Sequence, residues 1–142
     1  MPTTMMDAPA PSSRPPQGRP ARVLYAEDQP DLRELMRLIL DRAGYEVETV
    51  ADGQAALRRL AELPADFDLL ITDHHMPVMN GLELVARLPA ATFRGRIMVF
   101  TSETDPAVHR EYLRLGVHQI LPKPIQPDAL RRILTRLLAP AP

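Results

Sequence analysis

The sequence predicts a doubly wound α/β domain built on a five-stranded parallel sheet with five helices, and two observations carry that prediction. From residue 22 onward, short apolar runs alternate five times with stretches whose apolar residues recur at helical spacing. Two of the runs, Leu69-Leu70-Ile71 and Ile97-Met98-Val99-Phe100, are continuously apolar, as strands covered on both faces read.

Val23 to Ala26 is the first strand, and a helix follows over Asp31 to Ala43. It carries Leu32, Leu35, Met36 and Ile39 on one face and is closed by Gly44. Val47 to Val50 is the second strand. The second helix is opened by Asp52, carries Ala55, Ala56, Leu57 and Leu60, and ends near Pro64. Asp68 to Thr72 is the third strand, followed after a loop by a short helix over Leu82 to Leu88. Ile97 to Phe100 is the fourth strand. Pro106 begins the fourth helix, where a missing N–H costs nothing, and Gly116 ends it after Leu115. His118 to Leu121 is a fifth, weaker strand. The last helix, Asp128 to Leu138, gathers Leu130, Ile133, Leu134, Leu137 and Leu138 into one stripe.

Composition bounds what such a domain does. The 142 residues amount to one domain, enough for a single core that buries roughly 68–70% of the unfolded surface. The absence of cysteine excludes disulfides, thiolate catalysis and cysteine-ligated metal centres and suits a reducing, cytoplasmic setting. A formal charge of -1 offers no basic field for nucleic acid, and no apolar run reaches the roughly 18 residues of a membrane insertion. Residues 1–20 hold six prolines and read as a disordered tail; residues 21–139 form the domain and 140–142 its end.

In open α/β sheets, ligands bind beyond the carboxyl ends of the strands. Glu27 and Asp28 follow the first strand, Asp73 the third, Thr101-Ser102 the fourth and Lys123 the fifth. Three carboxylates in one crevice repel unless a proton or cation joins them, and an oxygen-only set suits Mg²⁺ or Mn²⁺. A carboxylate beside such an ion is a competent nucleophile toward phosphorus, with Thr101 to hydrogen-bond one phosphoryl oxygen and Lys123 to neutralise another. Lys123 is also the only lysine among 17 basic residues, the rest being arginine, which favours a site that needs a compact ammonium.

Glu27-Asp28, Asp73 with Met76-Pro77-Val78-Met79-Asn80-Gly81, Thr101-Ser102 and Lys123-Pro124 together resemble the receiver domain of two-component response regulators, over about residues 21–139. The resemblance implies a flavodoxin-like sheet of order 2-1-3-4-5 and a phosphoryl group accepted on Asp73 from a histidine kinase or phosphotransfer protein. It makes Asp28 a direct Mg²⁺ ligand, Glu27 one acting largely through water, and the His75 backbone carbonyl the remaining protein ligand. Thr101 becomes the hydroxyl that moves on activation, Lys123 the partner of the phosphoryl oxygen, and Lys123-Pro124 a cis bond.

Two positions depart from that pattern. Ile120 stands where the family commonly carries a switch aromatic, and Tyr112 reads as a packing residue of the fourth helix. His74-His75 have no third residue at zinc spacing. His75 and Glu103 instead read as modulators of water access to the phosphorylated Asp73. Because the chain ends after the fifth helix, a single-domain switch is expected, read by a protein docking on the fourth helix, fifth strand and fifth helix. Two alternatives belong to other classes: an interaction module indifferent to phosphorylation, and an aspartyl-nucleophile phosphatase. The phosphatase needs a second Asp two residues after the first, where this chain has His75.

Overall fold

The computed structural model describes residues 18–63, 65–88 and 93–139; most of the proline-rich tail and residues 140–142 lie outside them. Ten elements alternate along the chain: β1 (Arg22–Ala26), α1 (Pro30–Arg42), β2 (Glu46–Val50), α2 (Gly53–Glu62), β3 (Leu69–Thr72), α3 (Gly81–Arg87), β4 (Arg96–Thr101), α4 (Pro106–Arg114), β5 (Gln119–Pro122) and α5 (Pro127–Leu137). The strands form one sheet in the order β2-β1-β3-β4-β5, with every pair parallel. This is the doubly wound sheet that the alternation predicts.

Side chains alternate across each strand, so one sequence feeds two cores. Val23, Tyr25, Leu69, Ile71, Met98 and Phe100 face α1 and α5, meeting Met36, Leu40, Leu130 and Leu134. Leu24, Ala26 and Leu70 face the opposite layer, where Ala56, Leu60 and Leu84 of α2 and α3 close over them. Val99 continues that face toward α4 and packs with Val85, Tyr112 and Val117, with Ile120 against them.

Element boundaries shift by about one residue for identifiable reasons. α1 and α5 begin on Pro30 and Pro127, whose fixed φ suits the first helical position. α3 begins on Gly81 because Asn80 caps it: its side chain accepts from Glu83 N–H while the Glu83 carboxylate accepts from Asn80 N–H. Gly116, at φ 93°, turns the chain out of α4, and His118 N–H then bonds Ile97 O, so that β5 starts one residue later than the apolar pattern suggests.

Register delivers the site. Ala26 pairs with Thr72 and Thr101 with Pro122, so the next residues lie side by side at the carboxyl edge. Asp73 N–H bonds Ala26 O at 3.2 Å, and Lys123 N–H bonds Thr101 O at 3.0 Å. Among the described residues no helix is long and apolar enough to cross a membrane.

Candidate functional site

Glu27, Asp28 and Asp73 present carboxylate oxygens within 4.8 Å of one another. Glu27 is wholly buried at the end of β1. Its Oε1 accepts from Lys123 Nζ at 2.7 Å and from the Tyr25 hydroxyl at 3.2 Å, and its Oε2 from Gln29 N–H at 3.2 Å. Asp28 is half-buried on the solvent side. Arg33 fixes that turn by donating to the carbonyls of Glu27 and Asp28 at 2.8 and 3.2 Å.

Asp73 lies at the mouth of β3. His74 N–H donates to its Oδ1 at 2.6 Å and Lys123 Nζ to its Oδ2 at 3.0 Å. One ammonium therefore spans two of the three carboxylates. Burial works against the Lys123 charge, but hydrogen bonds to Glu27 and Asp73, and the charge of both, outweigh it and hold the lysine above its ordinary pKa. Burial, reinforced by the charge of Glu27, pushes the Tyr25 hydroxyl up, so it stays a donor. The Lys123–Pro124 bond is cis.

Thr101 is buried at the end of β4, and its Oγ1 accepts from Glu103 N–H at 3.1 Å. A hydroxyl that accepts one bond keeps its own O–H to donate. The loop after β3 folds back through Gly81 N–H to His74 O at 3.0 Å, while Val78 takes the left-handed conformation at φ 70°. An open depression of about 520 Å³ lies over this loop, lined by Asp28, His74, His75, Met76, Pro77 and Asn80.

His75 and Glu103, paired from the sequence, do meet: Nε2 lies 3.0 Å from Oε1. Glu103 Oε2 accepts from Asp105 N–H at 2.9 Å, and His109 Nε2 donates to the Glu103 carbonyl at 2.7 Å. The Asp105 N–H, helped by the charge of His75, holds the Glu103 carboxyl below its usual range. Sequence spacing offers His74 and His75 no third ligand; the fold supplies Glu103 within 4.8 Å of both.

Tyr112 is more than a packing residue. Its ring is fully buried on α4, and its hydroxyl lies 2.6 Å from His74 Nδ1. Burial raises the tyrosine pKa and lowers that of His74, the latter helped by the charge of His75, so both stay neutral. Ile120 packs in the same cluster as Tyr112, so the aromatic volume missing from β5 is present on α4. The sequence signal for this is the pairing of an aliphatic, ringless Ile120 with a tyrosine on the preceding helix, and it is legible only once α4 and β5 are known to touch.

The oxygen donor set of Glu27, Asp28 and Asp73 fits a hard divalent cation such as Mg²⁺, and the open side at Asp28 leaves room for the waters such an ion retains.

Comparison with known proteins points one way. The family model for the response regulator receiver domain matches residues 23–135. The chain is 35% identical over 116 residues to the sensor histidine kinase AruS of Pseudomonas aeruginosa, covering 79% of this chain and 11% of the kinase. It is 32% identical over 111 residues to the putative two-component response regulator ARR21 of Arabidopsis thaliana, covering 78% of this chain and 18% of that protein. The chain thus spans a small part of these relatives' length. Among solved structures, the chemotaxis protein CheY4 of Vibrio cholerae superposes with a TM-score of 0.77 at 36% identity, covering 84% of this chain and 99% of that one.

Proposed function

Because the chain belongs to the response regulator receiver family, we propose that it is a phosphorylation-dependent switch that accepts a phosphoryl group on Asp73. One observation carries the reading: the Lys123 ammonium bridges Asp73 and buried Glu27 at 3.0 and 2.7 Å, beside the half-buried carboxylate of Asp28. The donor is a phosphohistidine of a histidine kinase or phosphotransfer protein. An Asp73 oxygen forms the new O–P bond, the P–N bond breaks, and the departing imidazole nitrogen takes up a proton.

Each neighbour has work in that step. Lys123 loses one bond to Asp73 and gains a phosphoryl oxygen, so its charge stays compensated throughout. Thr101 donates its free O–H to a second phosphoryl oxygen. Asp28, Asp73 and the His75 carbonyl would hold Mg²⁺, with Glu27 nearby; when bound, the ion neutralises charge on the transferring group. His75 and Glu103 face each other across the mouth and regulate the entry of hydrolytic water, so His75→Ala changes the dephosphorylation rate.

Because Thr101 Oγ1 already holds Glu103 N–H, a shift of Thr101 moves the loop that leads into α4. The readout is a partner docking on the α4–β5–α5 face, where Leu113 stands 58% exposed. To move such a switch from 1:99 to 99:1 takes about 5.5 kcal/mol of differential stabilisation. Two charge-assisted hydrogen bonds, from Lys123 and Thr101, at about 1.5–3 kcal/mol each, reach that order. We place the protein in the cytoplasm, with no nucleic-acid contact and no turnover of external phosphate esters.

Ile120 favours a second reading, a docking module indifferent to phosphorylation, since the usual aromatic coupling is absent from β5. Incubation with acetyl phosphate and Mg²⁺ decides between them: intact mass rises by one phosphoryl group in the wild type and not in Asp73→Asn. An unchanged wild-type mass, with partner binding equal in both proteins, sinks the switch.

A further inference from the structure

We propose that His74, His75 and Glu103 form a second cation site, separate from the acidic one and selective for a borderline transition metal such as Zn²⁺. Their candidate ligand atoms lie within 4.8 Å of one another. His75 Nε2 and Glu103 Oε1 are 3.0 Å apart, close to the separation of about 3.3 Å between ligands of a tetrahedral zinc with bonds near 2.0–2.1 Å. Two imidazoles and one carboxylate are a zinc donor set, and three protein ligands leave the fourth position to water. The depression of about 520 Å³ over His74 and His75 gives that water access.

The groups behind the ligands are ordered as a metal site requires. The Tyr112 hydroxyl lies 2.6 Å from His74 Nδ1, which leaves Nε2 as the ring nitrogen available to a metal and gives the ring an outer oxygen partner. Asp105 N–H occupies Glu103 Oε2, leaving Oε1 toward His75, and His109 braces the Glu103 carbonyl. The loops after β3 and β4 therefore converge with their donors already oriented. Softness separates this site from the oxygen-only cluster of Glu27, Asp28 and Asp73, which Mg²⁺ suits.

Metal here ties the loop of Asp73 to the loop of Thr101. Since Glu103 N–H holds Thr101 Oγ1, a ligated Glu103 keeps the hydroxyl where it is and opposes its move toward a phosphoryl group. That consequence rests on Asp73 as phosphoacceptor; binding itself does not, so the two are measured separately.

The test titrates the full unphosphorylated chain with Zn²⁺ by calorimetry at saturating Mg²⁺, and with Co²⁺ by visible absorption. Wild type and Asp28→Asn should bind one ion with equal affinity and give a tetrahedral Co²⁺ spectrum. His75→Ala and Glu103→Gln, changed at the surface, should bind at least about tenfold more weakly, and Tyr112→Phe about tenfold more weakly through loss of the outer partner. Equal binding by His75→Ala and wild type, loss of binding in Asp28→Asn, or no binding at all overturns the site. Acetyl phosphate labelling should slow with Zn²⁺ in wild type and not in His75→Ala; equal labelling in both overturns the coupling.

Discussion

At the scale of the residue, charge balance at the sheet edge rests on Lys123. Its Nζ compensates Glu27, which has no access to solvent, so removing the ammonium strands a buried carboxylate. Lys123→Met should cost about 3 kcal/mol in urea unfolding, and Glu27→Gln added to it should recover most of that loss. Its standing as the only lysine already marks it in the sequence. The Tyr112 hydroxyl at His74 had no such mark, because residues 38 apart are neighbours only through packing. His118 supplies a pH response remote from the site. Although the residue is exposed, partial desolvation of its ring, with the charge of Arg96, lowers its pKa from 6.5, and its Nδ1 accepts from Ile97 N–H at 3.0 Å. On acidification through that value the unfolded chain binds a proton that the folded chain resists, so stability falls as pH drops. His118→Gln should lose less stability than wild type between about pH 7.5 and about pH 5.5, read as urea midpoints.

At the scale of the element, the segment from Asp73 to α3 is the most constrained. Asn80 and Glu83 cap α3 reciprocally, and Gly81 N–H returns to His74 O. A Cβ on Gly81 would stand 2.3 Å from the Asp73 carbonyl oxygen and 2.6 Å from the Tyr112 hydroxyl, one a backbone atom and the other held by His74. Gly81→Ala should therefore cost about 1–3 kcal/mol in thermal or urea unfolding and slow acetyl phosphate labelling, because relief must move the Asp73 backbone. Asn80→Ala, which removes a cap but adds no clash, should cost about 1 kcal/mol and leave labelling near wild type. The helices themselves are legible from apolar spacing and punctuation: Asp52 caps α2 through Ala55 N–H at 2.8 Å, and Pro106 opens α4. A capping box that places α3 one residue early is legible too, in Asn80 and Glu83; the close approach of Gly81 to two other segments is not.

At the scale of the whole molecule, the acidic cluster links the site to global stability. A cation that binds only the folded arrangement adds about 2.7 kcal/mol at a hundred times its dissociation constant. The unfolding midpoint should rise with Mg²⁺ in wild type and stay flat in Asp28→Asn, which scanning calorimetry checks. The fold that assembles this cluster was written in local pattern: alternating faces on β1, β3 and β4, five helical stripes, and polar residues waiting at strand ends. Those features are short-range, and period, capping and turn chemistry act within a few residues. What the tertiary structure decided is which of those ends become neighbours and what else they meet. Parallel register sets Glu27 beside Asp73 and Lys123 beside Thr101. The packing of α4 on β4 and β5 brings Tyr112 to His74, and the loop after β4 brings Glu103 to His75. These contacts join segments far apart in the chain, so their geometry comes into being only when the two cores close on the sheet, and no local pattern encodes it.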